Sequence, residues 1–195
     1  MARARGADVV VDAAHSFGQC HLTLADLGAD FVGCNLHKWL GAPVGAGVMY
    51  IREGRLGDVA RMLGDEGTPD RIDSRIHTGT ANFATYLTVP AALDFHQAVG
   101  PAEKAARLRY LRDRWVDSVR STRGVDILVP DVPDSVAAIT SFRLHGRPGR
   151  PENQALVAEL LERYGLFTVW RTGIAGGDCV RVTPALYNRP GDADR

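Results

Sequence analysis

Two of the 23 basic side chains are lysines, Lys38 and Lys104, and all the others are arginines. Lys38 lies in a polar cluster, residues 34–41, between an apolar run and a glycine-rich run. Such a cluster predicts the end of a buried strand, where open α/β sheets place their ligands. Arginine stays protonated, whereas a desolvated lysine can lose its proton and form a Schiff base. The pattern therefore favours a Schiff-base lysine, and the alternative is a lysine that extends from a strand end into solvent.

A carboxylate follows the first apolar run of the chain. Residues 9–11 are consecutive valines, which predicts a strand buried on both faces, as in a parallel sheet. Asp12 comes directly after them, and a carboxylate at a strand end is either a helix N-cap or a site residue. Asp12 and Lys38 are about one strand–crossover–strand unit apart, so we expect both side chains at the same edge of the sheet.

The remaining elements of the first half are predicted from glycine stops and apolar periodicity. They are a short helical or turn connection over residues 22–28, strands over 29–34 and 45–51 with the second antiparallel, and a loop over 52–75 with a helical piece near 56–63. A buried helix follows, which carries Leu87, Val89, Ala91, Ala92, Leu93 and Phe95 and ends at Gly100 and Pro101. Thr80 and Asn82 precede this helix, where a hydroxyl and backbone donors can hold an anion. The alternative for both residues is a helix cap.

The second half predicts a small α+β domain, and we place the boundary near residue 100, between domains 1–100 and 101–195. An amphipathic helix is predicted over 102–122, with arginines on the face opposite to Leu108, Leu111, Trp115 and Val119. The other elements are strands over 125–129, 136–144, 166–170 and 178–183, a glycine-bearing loop over 171–177, and a helix from Pro151 to Gly165 with a stripe of Leu156, Val157, Leu160, Leu161 and Tyr164. The predicted fold class is α/β, with a sheet in the first half of the chain and a small α+β domain in the second.

Composition argues against several classes of function. Lys+Arg and Asp+Glu are both 23, whereas a nucleic-acid partner usually needs a basic surplus. The three cysteines form no CxxC pair and no metal-ligand spacing, and no signal peptide is recognisable, which favours a reducing cytoplasm. No apolar run approaches the roughly 18 residues of a membrane helix, so we expect no membrane partner.

Five motifs stand in order along the chain: Asp12-Ala13-Ala14-His15, Asn35-Leu36-His37-Lys38-Trp39-Leu40, Gly79-Thr80-Ala81-Asn82, Arg171-Thr172-Gly173 and Arg181-Val182-Thr183-Pro184-Ala185-Leu186-Tyr187-Asn188. Together they resemble the class V aminotransferase family, whose members are pyridoxal 5'-phosphate (PLP) enzymes of fold type I. The second motif looks closest to isopenicillin N epimerase-like proteins. The resemblance extends over nearly the whole chain.

The resemblance implies a catalytic role for three residues. Lys38 would hold PLP as a Schiff base, and burial should keep its amine unprotonated. Asp12 would pair with the pyridine nitrogen and keep it protonated, which makes the ring an electron sink. His15 would lie near the phenolic oxygen of the cofactor.

Four further residues would bind the cofactor or the substrate. Asn35 and His37 would contact the phosphate of PLP. Thr80 would reach the phosphate in the neighbouring subunit, which implies a homodimer with sites at the interface. Arg171 would bind the α-carboxylate of an amino-acid substrate as a bidentate fork.

The loop after Arg171 bears on the type of reaction. Cysteine desulfurases of this family carry a nucleophilic cysteine there, whereas residues 174–178 contain none, and Cys179 is expected to be a small buried hydrophobe. We therefore expect an epimerase, a C–S lyase or an aminotransferase more than a desulfurase. The alternative from another class is a non-catalytic fragment or subunit of a split PLP-fold protein.

The resemblance also implies that the chain is incomplete. It would be the C-terminal part of a fold type I PLP enzyme, with a partial sheet of the large PLP-binding domain followed by a small α+β domain. Family members have a large portion before the strand that bears the Asp12 position, and it supplies a phosphate loop and a residue that stacks on the ring. Only 11 residues precede Asp12. We therefore expect the chain to need a second subunit or a complementing N-terminal portion to form a competent site.

Overall fold

The computed structural model describes residues 2–64, 67–76, 79–130, 132, 135–173 and 175–195. The chain divides into two compact units, Met1–Pro101 and Ala102–Arg195. Two predicted loops include residues outside the described ranges, which are Asp65 and Glu66 in the first loop and Ile174 in the glycine-bearing loop. No helix in the described ranges is long and apolar enough to cross a membrane.

A three-stranded sheet forms the first unit. β1 (Val10–Asp12) and β2 (Phe31–Asn35) are parallel, and β3 (Gly47–Ile51) pairs with β2 in antiparallel orientation. The predicted parallel pair and antiparallel third strand are both confirmed. The connection from β1 to β2 consists largely of turns and ends at Gly28, where φ is +55°. The other elements of this unit are 3-10 helices at Arg3–Arg5, Leu56–Asp58 and Ile72–Arg75 and the helices α1 (Phe83–Leu87) and α2 (Val89–Val99).

One face of this sheet is covered by described residues of its unit, and the other is open. Val32 of β2 is buried in a core against which Val89 and Ala92 of α2 pack. Side chains alternate between the two faces of a strand, and Val10 on the other face is 74% exposed. The prediction that residues 9–11 are buried on both faces is therefore wrong, because the described residues of this unit pack on one side of β1 alone.

The predicted buried helix is instead a pair of largely exposed helices, α1 and α2. Leu87 is 80% exposed and Phe95 is 56% exposed, so the prediction of burial is wrong. The apolar residues lie all round the helix axis, so one side alone can face the sheet, and Val89 and Ala92 are residues of α2 that pack against its core. The predicted break at Gly100 is confirmed, because α2 ends before it and a new helix begins after it.

An antiparallel four-stranded sheet forms the second unit. In chain order the elements are α3 (Pro101–Val119), β4 (Val125–Ile127), β5 (Thr140–Leu144), α4 (Arg150–Tyr164), β6 (Val169–Arg171), β7 (Cys179–Val182) and α5 (Pro190–Ala193). The strands lie in the order β4-β5-β7-β6, and α4 packs on β6 and β7. The predicted α+β arrangement is confirmed, and α4 ends at Gly165 as predicted, with a φ of +68°.

The helices of the second unit bury part of their predicted faces. Leu108 and Leu111 of α3 are fully buried, as the amphipathic pattern predicts. Arg112 is also buried, at 3% exposure, and its Nε donates a hydrogen bond to Oγ1 of Thr140 at 3.0 Å. The prediction that the arginines of α3 lie on the exposed face is therefore wrong at Arg112, where a hydroxyl accepts from the guanidinium. The stripe of α4 is half-buried at best, since Leu161 is 47% exposed.

Candidate active site

Asp12 and Asn35 end two parallel strands and therefore lie at the same edge of the sheet. Asp12 is the Cα partner of Gly33 in β2, and Lys38 lies in the turn that follows Asn35. Oδ1 of Asp12 accepts a hydrogen bond from the backbone N–H of Ala14 at 2.9 Å, and the residues after it form turns. The helix N-cap alternative for Asp12 is therefore wrong. Its carboxylate is exposed at the end of β1.

The loops that follow β1 and β2 pack against each other. Gly18 has a φ of +76°, and a Cβ atom there would lie 3.0 Å from the backbone nitrogen of Leu40 and 3.1 Å from the carbonyl carbon of Trp39. The N–H of Ala13 donates to the carbonyl of Gly33 at 2.8 Å, which ties the first loop to β2. Only glycine combines this backbone conformation with so close an approach of two chain segments.

His15 is held by residues from both loops. Nε1 of Trp39 donates a hydrogen bond to Nδ1 of His15 at 3.3 Å, and the two rings meet edge-on. The side-chain amide of Gln19, which is buried, donates to the carbonyl oxygen of His15. These contacts hold the exposed imidazole of His15 in the loop that follows Asp12.

Lys38 is exposed to solvent in the described part of its unit. The expectation that its amine is buried is therefore wrong there. The turn that carries it projects past the end of β2, where the sheet is covered on one face only. The buried lysine is Lys104 of α3, at 4% exposure, and burial lowers its pKa. Burial alone would therefore select Lys104, whereas position at the edge of the sheet selects Lys38.

A half-buried imidazole and amide accompany Lys38 at the sheet edge. Asn35 and His37 are both partly accessible to solvent. Nδ1 of His37 is itself buried and has no hydrogen-bond partner among the residues that the structure describes. A buried polar atom without a partner costs free energy unless a ligand or water pairs with it. This nitrogen therefore suits a polar ligand at the edge.

Thr80 lies apart from these residues in sequence, shortly before α1, and is exposed. Asn82 occupies the N-cap position of α1, yet its side chain makes no capping hydrogen bond. Asn82 therefore stands where the helix-cap alternative places it, but its side chain does not cap the helix by a hydrogen bond. Thr80 forms part of neither the strand ends nor the two packed loops.

The uncovered face of the sheet forms an open groove with a volume of about 520 Å³. Asp12 and Asn35 are polar residues of its wall, and most of the other side chains in it are apolar. Burial raises the pKa of the Cys34 thiol, so this residue lines the groove as a neutral group. The lining residues are Val10, Val11, Asp12, Ala14, Gly33, Cys34, Asn35, Gly47, Val48, Met49 and Ile76.

Two arginines share one face of the sheet in the second unit. The β6–β7 register pairs Val169 with Arg181 and Arg171 with Cys179, so Arg171 and Arg181 point to the same side. Nε of Arg181 is buried without a hydrogen-bond partner among the described residues. Burial, and then the positive charge of Arg171, lower the pKa of Arg181. The sequence analysis missed Arg181, although an arginine inside the apolar strand Cys179–Val182 signals a buried cation that needs an anion.

Arg143, which the sequence analysis also missed, anchors the loop that follows Arg171. Its Nε donates to the carbonyl of Asp178 at 2.9 Å, and Nη2 donates to the carbonyl of Gly177 at 2.6 Å. Gly177 has a φ of +105°, and a Cβ there would lie 2.5 Å from the carbonyl oxygen of Pro148. The loop is therefore held by a guanidinium fork on one side and by close backbone packing on the other.

Comparison with known families agrees with the motifs. The model of the family described as Aminotransferase class-V matches residues 1–190. The resemblance to this family is thereby confirmed, and the predicted fold, part of a fold type I PLP enzyme, is confirmed by the solved structure described next.

Individual relatives match almost all of this chain. Isopenicillin N epimerase of Streptomyces clavuligerus is 31% identical over 216 residues, which cover 100% of this chain and 52% of the relative. Kynureninase of Xanthomonas oryzae pv. oryzae (strain PXO99A) is 30% identical, and the match covers 98% of this chain and 48% of the relative. The solved complex of the cystine C-S lyase C-DES with its reaction product cysteine persulfide has a TM-score of 0.74 and 26% identity, and covers 96% of this chain and 50% of that one. The chain thus spans about half the length of the curated relatives that it matches.

Proposed function

Because this chain belongs to the aminotransferase class-V family, we propose that it supplies part of the active site of a PLP-dependent enzyme that acts on an amino acid or a derivative of one. The observation that carries the proposal is the parallel β1–β2 pair. It brings the carboxylate of Asp12 and the turn that bears Lys38 to one edge of the sheet. Open α/β sheets bind ligands at that edge.

The residues at the edge fit the chemistry of PLP. The cofactor has an aldehyde, a pyridine nitrogen and a dianionic phosphate, and the edge offers an exposed amine, a carboxylate and a half-buried imidazole. The buried Nδ1 of His37, which lacks a partner among the described residues, can pair with a phosphate oxygen through a bound proton. Asn35 adds an amide next to it.

Each residue would act at a stated atom. Lys38 would hold the cofactor covalently through Nζ, and its exposed position gives the amine access to an aldehyde. Asp12 would accept a hydrogen bond from the pyridine nitrogen and keep the proton on that atom. His15 would donate to the phenolic oxygen. When bound, PLP supplies an electron sink for negative charge that develops on the substrate carbon.

The substrate carboxylate would bind to the second unit. Arg171 and Arg181 lie on one sheet face, and the buried Nε of Arg181 has no partner among the described residues. A carboxylate between two guanidinium groups would satisfy that nitrogen and offset the repulsion between the cations. We therefore assign α-carboxylate binding to Arg171 together with Arg181.

The proposed reaction is epimerisation, C–S lysis or transamination. No cysteine lies between Arg171 and Cys179, so the loop offers no thiol for a persulfide. Cys179 is 6% exposed, and its Sγ lies 3.7 Å from the carbonyl oxygen of Arg171, which is a position for a packed side chain. Relatives named as epimerase and C–S lyase support the first two reactions.

The open sheet face supports a proposal about partners. Val10 is 74% exposed and Met49 is 41% exposed, which is unusual for an α/β sheet whose faces are normally covered. We propose that a complementing N-terminal portion covers this face, and that Thr80 reaches the phosphate of a second subunit in a homodimer located in the cytoplasm. A non-catalytic role as a subunit of a split protein is the alternative.

Absorbance spectroscopy on the complete enzyme that contains this chain tests the proposal. We expect a yellow band with PLP that changes on addition of amino acids, and we expect Lys38→Arg to abolish it. Lys104→Arg is the matched control and should retain the band. A colourless wild-type enzyme with PLP present would favour the non-catalytic alternative.

A further inference from the structure

We propose that Trp39 is a positioning residue that holds the imidazole of His15 in the tautomer whose proton lies on Nε2. The indole nitrogen of Trp39 lies 3.3 Å from Nδ1 of His15. An indole N–H donates a hydrogen bond and accepts none, so Nδ1 must present its lone pair. A neutral imidazole has one N–H, and this contact leaves it on Nε2.

Packing fixes both rings in the geometry that this hydrogen bond needs. The rings meet edge-on, with centroids 6.5 Å apart and an interplanar angle of 72°. The carbonyl of His15 accepts from the buried amide of Gln19. The backbone of Trp39 lies so close to Gly18 that a Cβ atom added at Gly18 would be 3.1 Å from the carbonyl carbon of Trp39. The hydrogen bond therefore joins two segments that are each tied down.

A fixed tautomer decides what His15 can do at the sheet edge. With its proton on Nε2, neutral His15 donates through that atom and can stabilise an oxygen that carries negative charge. The identity of that oxygen as the phenolic oxygen of PLP rests on the proposed function. Trp39 directly follows Lys38, so one turn carries both the proposed Schiff-base amine and the group that orients His15.

Nitrogen NMR of histidine tests the tautomer directly. The complete enzyme, with nitrogen-15 histidine and without PLP, is measured by magic-angle spinning at a pH where imidazole is neutral, and His15→Gln assigns the signals. We expect a pyridine-like shift for Nδ1 and a pyrrole-like shift for Nε2. Trp39→Phe keeps an aromatic ring and removes the donor, so it should raise the ratio of the Nδ1–H to the Nε2–H tautomer about 2- to 10-fold, as loss of one hydrogen bond predicts.

Trp115→Phe is the matched control, because Trp115 packs edge-on against Phe142 in the second unit and should not affect the ratio. A pyrrole-like Nδ1 in the wild type overturns the proposal whether or not Trp39→Phe folds. An unchanged ratio in a folded Trp39→Phe enzyme overturns it as well. The NMR measurement needs no PLP, so the two proposals can fail separately. If the enzyme shows the expected tautomer but binds no PLP in a separate titration, the proposed function is refuted and the tautomer proposal stands. The wrong tautomer with normal PLP binding would refute this proposal alone.

Discussion

Gly18→Ala should destabilise the protein and loosen the candidate site, and Gly28→Ala supplies a matched control. Both glycines have positive φ, +76° at Gly18 and +55° at Gly28, so alanine at either position costs about 1–2 kcal/mol of backbone strain. At Gly18 the new Cβ would also lie 3.0 Å from the backbone nitrogen of Leu40, whereas Gly28 has no described atom within 4 Å. Backbone atoms cannot rotate away, so overpacking adds roughly 1–3 kcal/mol at Gly18 alone.

Urea unfolding of the complete enzyme measures this difference, and PLP titration measures its effect on the site. We expect the larger loss of unfolding free energy in Gly18→Ala, together with weaker PLP binding, because the backbone that must move lies beside Lys38. Gly28→Ala should lose the smaller amount and bind PLP normally. Equal losses in the two variants would refute the reasoning that the two loops pack through Gly18.

Three other perturbations probe the site and the two units. Asp12→Asn keeps an oxygen that can accept the hydrogen bond from the N–H of Ala14, which is 2.9 Å long, so the fold should persist. The value of kcat should fall by on the order of a hundredfold or more, because the carboxylate charge is lost. A near-normal kcat in the complete enzyme would contradict the proposed role of Asp12 at the pyridine nitrogen. The pKa of Asp30 is lowered from 3.8, chiefly by the hydrogen bond from the N–H of Val9, so its contribution to stability is present above pH 3.8 and is lost as pH falls through the lower folded pKa. Asp30→Asn should therefore weaken the dependence of unfolding free energy on pH in this acid range. An unaltered pH dependence would exclude Asp30 as its source. Leu111→Ala, at a side chain with 0% exposure, should cost about 2–5 kcal/mol of unfolding free energy, and a smaller loss than in Leu161→Ala would show that α3 is not the core helix of its unit.

The arrangement of the sheet edge was predictable because it depends on the order of elements along the chain. A valine run, Asp12, a crossover and the Lys38 cluster predict two parallel strands that end together, and the register of β1 and β2 agrees. Hydrophobicity does not specify how many layers cover a sheet. The same valine run would suit a strand with two covered faces, and here Val10 is open to solvent.

Sequence patterns could not predict the contacts that fix individual side chains. Arg112 is buried because Thr140, distant in sequence, offers a hydroxyl at 3.0 Å, and helical periodicity carries no information on that partner. The Trp39–His15 hydrogen bond likewise depends on how closely Gly18 lets two loops approach. Arg181 could have been found, since a cation between valines in a strand demands an anionic partner.

Borohydride reduction of the PLP-loaded complete enzyme, followed by peptide mapping, tests the central claim most directly. The chain offers two lysines, the exposed Lys38 at the sheet edge and the buried Lys104, whose pKa burial lowers. If the sheet edge is the cofactor site, the reduced pyridoxyl group will be found on the peptide that contains Lys38. A pyridoxyl group on Lys104, or on neither lysine of a loaded sample, would contradict the account.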